Sequence, residues 1–187
     1  MRIAGGTARG RRLKGPAAGT RPTSDLVRAA IFDTLEAQGI DMSSVLDLYA
    51  GSGALGIEAL SRGAARCDFV EADAKNAAVI RENLVLAGFQ KQGSVHRMRV
   101  ERAAGALAGG YSLVLADPPY DDGAAPGALE RIAGSRLAGP GTTLVLEHSS
   151  RREAAGQIGP LRLAWSRRYG DTQVSIYGPE PHKEGAR

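Results

Sequence analysis

The sequence predicts an α/β fold: a mostly parallel sheet with helices on both faces, closed at one edge by an antiparallel hairpin. Three observations predict it. From Ser44 to Glu147, five short apolar runs alternate with stretches of helical periodicity, the pattern of a sheet built by crossover connections. The first run ends in a glycine-rich turn, Gly51-Ser52-Gly53, which opens a helix. The last two runs, Leu161–Trp165 and Thr172–Tyr177, alternate apolar with polar across Tyr169-Gly170-Asp171, as an antiparallel pair does.

The elements follow in order. Ile3 to Leu13 reads as two short strands around a glycine-rich turn. Thr23 or Ser24 caps a helix with the apolar stripe Val27, Ala30, Ile31, Thr34 and Leu35, and Gly39 ends it. Ser44–Leu48 is a buried strand, and Ala54–Arg62 is the helix after the glycine turn. Cys67–Glu71 is the second strand, followed by a helix over Ala74–Ala87. Ser94–Val100 and Tyr111–Ala116 are the third and fourth strands, Gly127–Arg136 is helical, and Thr142–Glu147 is the fifth strand. Three segments are expected: a basic hairpin arm over 1–21, a Rossmann-like domain over 22–178, and a flexible tail over 179–187.

Composition narrows the class. At 43% hydrophobic and 24% charged over 187 residues, the chain is one globular domain, and global disorder is excluded. No apolar run reaches the roughly 18–20 residues of a membrane helix. The opening Met1-Arg2-Ile3-Ala4-Gly5-Gly6 has no apolar secretory region, so a cytoplasmic protein is expected. Cys67, the one cysteine, allows no internal disulfide and makes no metal site alone. The net charge of +4 means little until it is located. Arg2, Arg9, Arg11, Arg12, Lys14 and Arg21 precede Pro22 without one acid among them, the footprint of an arm that meets phosphates.

Gly51-Ser52-Gly53-Ala54-Leu55-Gly56 matches the pattern G-x-G-x-x-G, and Glu71 lies twenty positions after Gly51. Such a loop lets a ligand approach a helix N-terminus, and an acid at the tip of the second strand accepts ribose hydroxyls. Three features argue against a dinucleotide. More than forty residues precede the first sheet strand. Asp47 stands at the strand end, where its charge opposes a pyrophosphate and suits an ammonium or sulfonium. The fourth strand ends in Asp117-Pro118-Pro119-Tyr120, which a dehydrogenase does not need.

That second motif is the sharper signal. Ligands bind at the carboxyl edge of such sheets, where Asp117 stands. Two prolines remove two N–H donors, leaving the Asp117 carboxylate and the Pro118 carbonyl as an acceptor-only corner. The corner complements an exocyclic amine: two acceptors take its hydrogens and turn the nitrogen lone pair outward. Tyr120 offers a face on which an extruded base stacks. The competing reading is a rigid turn with a capping Asp and a core Tyr.

Asp47 to Gly53, Glu71 and Asp117 to Tyr120 resemble the cofactor and catalytic motifs of class I S-adenosylmethionine-dependent amino-methyltransferases. Arg2-Ile3-Ala4-Gly5-Gly6, Arg9-Gly10-Arg11-Arg12-Leu13, the run Arg21 to Arg28 and Arg168-Tyr169-Gly170-Asp171-Thr172 resemble the RsmD family within that class. The resemblance covers Arg2 to Tyr177. It implies a seven-stranded Rossmann-like methyltransferase sheet. It also implies methyl transfer to N2 of one guanine of 16S ribosomal RNA, position 966 in customary numbering, in the small ribosomal subunit. A monomer without metal or membrane attachment is expected. Asp117, Pro118, Pro119 and Tyr120 would be the catalytic corner. Asp47, Tyr49, Gly51, Ser52, Gly53, Glu71 and Ala72 would hold S-adenosylmethionine. Arg2, Arg9, Arg11, Arg12, Lys14 and Arg21 would meet RNA. Strand three departs from the family pattern: it carries Arg99-Val100-Glu101-Arg102, with Val100 and Glu101 the candidates for the adenine. Rival readings are an adenine-N6 methyltransferase, a non-catalytic RNA-binding protein and a nicotinamide dehydrogenase. His96 and His148 are expected at surfaces or strand ends, and Cys67 and Trp165 in packing.

Overall fold

The computed structural model describes residues 1–16 and 24–179. Eight strands form one sheet in the order β3-β2-β1-β4-β5-β8-β7-β6. They are β1 (Ser44–Leu48), β2 (Arg66–Glu71), β3 (Gly93–Arg97), β4 (Tyr111–Ala116), β5 (Ala138–Ser149), β6 (Gln157–Ile158), β7 (Leu161–Tyr169) and β8 (Thr172–Gly178). The first five are parallel, and β8 runs antiparallel to both β5 and β7. The seven expected strands are therefore present. The eighth, β6, is two residues long and pairs only with β7, too short to leave a periodicity. The third strand stops at Arg97, and Val100–Arg102 is a 3₁₀ turn leading into α4 (Ala103–Ala106).

The helices are α1 (Asp25–Ala37), α2 (Ala54–Ser61), α3 (Ala74–Ala87), α4 and α5 (Ala125–Ala133). Ser24 starts α1 by accepting the Val27 N–H at 3.2 Å. Asp73 starts α3 by accepting the Asn76 N–H at 2.9 Å. Side chains alternate between two apolar layers. Val45, Phe69, Leu113 and Leu115 pack with α1, α2 and α3. Leu46, Leu48, Val70 and Val114 pack with α4 and α5. Burial on both faces is why the central strands read as continuous apolar runs.

The N-terminal segment is seated on the domain and does not stand apart from it. Arg2 and Arg12 form one antiparallel bridge, and Ile3, Ala8 and Leu13 enter the layer shared with α1 and α2. At Gly6 the backbone comes so close to α2 that a Cβ would lie 1.8 Å from the Ser61 carbonyl oxygen. Glu58 of α2, wholly buried, anchors this approach. Its carboxylate accepts the Ala4 and Gly5 N–H groups at 2.8 and 2.7 Å, and Nε of Arg28 and Arg62 at 3.2 and 3.0 Å. Arg28, also wholly buried, donates onward to the Arg2 carbonyl and, at 2.9 Å, to Asp25. A charge-rich stretch thus becomes part of the interior because its apolar residues face α2 and charges are paired beneath it.

Candidate active site

The strand order reverses at β1, whose neighbours are β2 and β4, and the crevice at such a point opens at the carboxyl ends of the strands. A cleft of about 860 Å³ lies there. It is lined by Tyr49, Gly51, Ser52, Glu71, Ala72, Val100 and Glu101 together with Asp117, Pro118, Pro119 and Tyr120. Residues far apart in the chain are thus brought to one cleft.

The glycine loop is braced from three directions. Glu71, largely buried, accepts the Gly51 N–H and the Asp73 N–H, each at 2.8 Å. Asn83, wholly buried in α3, donates to the Ser52 carbonyl at 2.9 Å and to the Lys14 carbonyl at 3.0 Å, and accepts the Lys14 N–H at 2.8 Å. Asp47 accepts the Gly56 N–H at 2.9 Å. The N-cap of α2 is Gly53, which brings no side-chain acceptor, so Asp47 takes up an amide of the first turn that would otherwise be orphaned. Asp47 thus turns one carboxylate oxygen to the helix. Burial, with the charges of Asp117 and Glu71 adding to it, holds the Asp47 carboxyl well above the ordinary range despite the Gly56 hydrogen bond.

Close packing explains Gly56, the third glycine of the pattern. A Cβ there would fall 2.4 Å from the Phe69 ring and 2.6 Å from the Cys67 sulfur, so α2 lies directly on β2. Tyr49 is, among the described residues, the one non-glycine residue with positive φ, at 56°. This left-handed turn swings the chain from β1 into the loop. The Tyr49 hydroxyl is buried without a hydrogen-bond partner, and burial beside the charges of Asp122 and Glu101 pushes its pKa up to about 12.

After β4, the Asp122 N–H donates to the Pro119 carbonyl at 2.9 Å and closes the turn after the two prolines. The Tyr120 hydroxyl meets Thr172 Oγ1 at 2.9 Å, and 36% of the residue stays exposed. Tyr169, the last residue of β7, and Thr172, the first of β8, line the same cleft, as do Asn76, Met98 and Glu147. Reading the sequence alone misses these five as cleft residues. Glu147 had a legible signal, an acid at the end of the predicted fifth strand. His96 lies elsewhere, paired with Asp68 at 2.7 Å, and His148 meets Ser175 Oγ at 2.9 Å on the other face of β5.

The basic arm divides into two groups. Arg11 donates to the Ala87 carbonyl at the end of α3 at 2.7 Å, Lys14 pairs with Glu82 at 2.7 Å, and Arg2 donates to Gly10 at 3.0 Å. Arg9 and Arg12 are exposed and have no such bond among the described residues. Arg21 lies outside the described residues, as does the tail from 180 onward. The arm borders the cleft: Met1 Sδ is 3.8 Å from the Ser52 hydroxyl, and Pro16 is one of the lining residues.

The family model described as "Conserved hypothetical protein 95" matches residues 1–178. The chain belongs to this family, the RsmD family. It is 37% identical over 181 residues to "Putative rRNA methyltransferase YlbH" of Bacillus subtilis, covering 95% of this chain and 98% of that one. It is 38% identical over 126 residues to "Ribosomal RNA small subunit methyltransferase D" of Escherichia coli, covering 66% of this chain and 62% of the relative. The solved structure "Putative methyltransferase yhhF from Escherichia coli" superposes with a TM-score of 0.83 at 29% identity, over 96% of this chain and 98% of that chain. The fold is the Rossmann-like methyltransferase fold. No helix among the described residues is long and apolar enough to cross a membrane, and none of them group as three or more metal-binding side chains.

Proposed function

We propose that this chain methylates ribosomal RNA, transferring the methyl group of S-adenosylmethionine to the exocyclic N2 amine of a guanine. By family resemblance that guanine is position 966 of 16S RNA in the small subunit. One observation carries the reading: the acceptor-only corner Asp117-Pro118 and the glycine loop braced by Glu71 line one and the same cleft. The names of the relatives supply the RNA.

The residues present fit the cofactor. A Cβ on Gly51 would meet nothing closer than the Tyr49 carbonyl oxygen at 3.9 Å, so the loop has an open side. The Glu71 carboxylate uses one lone pair of each oxygen on backbone N–H groups and keeps acceptor capacity for ribose hydroxyls. Ala72, Met98 and Val100 provide apolar wall for a purine. Bound there, S-adenosylmethionine supplies an electrophilic methyl group.

The chain's own residues supply the rest. Guanine N2 is a weak nucleophile because its lone pair is delocalised into the ring, so placement is the main catalytic resource. Asp117 and the Pro118 carbonyl accept the two amine hydrogens and point the lone pair across the cleft. The same carboxylate favours positive charge developing on nitrogen. Tyr120, held by Thr172, offers its ring to the extruded base. Arg9 and Arg12, exposed on the arm that borders the cleft, neutralise phosphates.

The test is transfer of labelled methyl to 16S RNA and to small subunits, followed by nucleoside mass analysis. N2-methylguanosine is the expected product. N6-methyladenosine, or no transfer, overturns the reading. Calorimetry with S-adenosylmethionine and with NAD separates a methyltransferase from a dehydrogenase.

A further inference from the structure

Resting on the guanine reading above, we propose that Glu147 selects the target base by accepting the N1–H of guanine, beside the amine held by Asp117 and Pro118. β4 and β5 are parallel with Ala116 opposite Leu146, so Asp117 and Glu147 stand one step further along neighbouring strands. Adjacent strands lie about 4.8 Å apart. Alternation puts Asp117 on the face of Leu115 and Glu147 on the face of Val145, and those two residues share one apolar layer. The two residues therefore stand at the carboxyl ends of neighbouring strands, and both line the cleft. Glu147 is 6% exposed, and the residue opposite it on β8 is the buried, apolar Val174. Glu147 borders the cleft, where a bound ligand's donor can reach it.

The pairing of chemistry is specific. On the Watson–Crick edge of guanine, N1–H and the N2 amine are adjacent donors. Two adjacent acceptor groups, Glu147 and the Asp117 corner, match that edge. Adenine presents an unprotonated N1 beside its amine, and a carboxylate facing that lone pair repels it. Glu147 thus supplies what the Asp-Pro-Pro-Tyr corner lacks, since that corner accepts any exocyclic amine.

2-Aminopurine tests this, because it keeps the N2 amine and has no N1–H. Small subunits are reconstituted with guanine or 2-aminopurine at the position found to be methylated. The wild-type protein should methylate guanine about 10- to 100-fold faster, the range for one hydrogen bond to a charged group. Glu147→Gln should lose most of that preference, with S-adenosylmethionine affinity unchanged by calorimetry. Equal wild-type rates on the two bases overturn the proposal, and that comparison needs no variant to fold. A preference kept in full by a folded Glu147→Gln protein also overturns it. Neither result touches the methyltransferase reading, which fails only if wild-type protein forms no N2-methylguanosine.

Discussion

Glu58→Ala removes the group that joins the N-terminal segment to α2. Four donors lose their acceptor together: the backbone N–H groups of Ala4 and Gly5, and the Nε atoms of Arg28 and Arg62. Arg28 is the critical one. Its side chain is wholly buried, so water cannot replace the missing carboxylate, and Asp25 becomes its one remaining carboxylate among the described residues. Removing one partner of a buried ion pair costs about 3–5 kcal/mol. For a chain of this length each kcal/mol moves the melting temperature by roughly 2–4 °C, so a fall of roughly 6–20 °C is expected. Against a total stability of about 5–15 kcal/mol this is a large share. Glu58→Gln keeps one acceptor oxygen and should fall in between. Urea denaturation and thermal melts measure both. A loss under about 1 kcal/mol for Glu58→Ala, the size of a surface pair, would refute the idea that this carboxylate clasps the segment.

Four other outcomes are expected. Asp117→Ala should cut methyl transfer by about 10²-fold or more while leaving cofactor affinity near normal, since it removes an oriented acceptor for the substrate amine; near-normal turnover would remove Asp117 from the mechanism. Glu71→Gln faces an amide NH₂ toward either the Gly51 or the Asp73 N–H, so S-adenosylmethionine binding should weaken by about 1.5–3 kcal/mol in calorimetry, with a lowered melting temperature. Arg9→Gln with Arg12→Gln should weaken RNA binding and flatten the log–log salt dependence by about 0.7–0.9 for each phosphate no longer neutralised, without lowering the melting temperature. Asp47 holds its proton more tightly folded than unfolded, so its contribution is most favourable below the ordinary carboxylate range and is lost as pH rises toward its raised value. Asp47→Asn keeps an acceptor for Gly56 and should melt higher than wild type at about pH 8, with the gap closing at about pH 4.

Strand and helix identity was legible in the sequence because it rests on local periodicity. Five parallel strands, the closing hairpin and the Ser24 cap are all consequences of residues within a few positions of one another. So are the two site motifs, since a glycine turn and a double proline act on their own backbone. What the sequence could not decide is where long side chains go once strands are neighbours. Asp47 reads as a ligand-binding acid, and the fold also gives its carboxylate the Gly56 N–H of the following helix. Glu147 reads as a strand-end acid until the β4–β5 register sets it beside Asp117. The basic opening reads as a hairpin arm that meets phosphates because charge dominates its composition. Only packing shows that Ile3, Ala8 and Leu13 are core and that Glu58, more than fifty residues away from Ala4 and Gly5, satisfies their amides. Local periodicity is set by bonds along the chain. Partner choice is set by which donors and acceptors burial leaves unsatisfied, and that is known only when the layers meet.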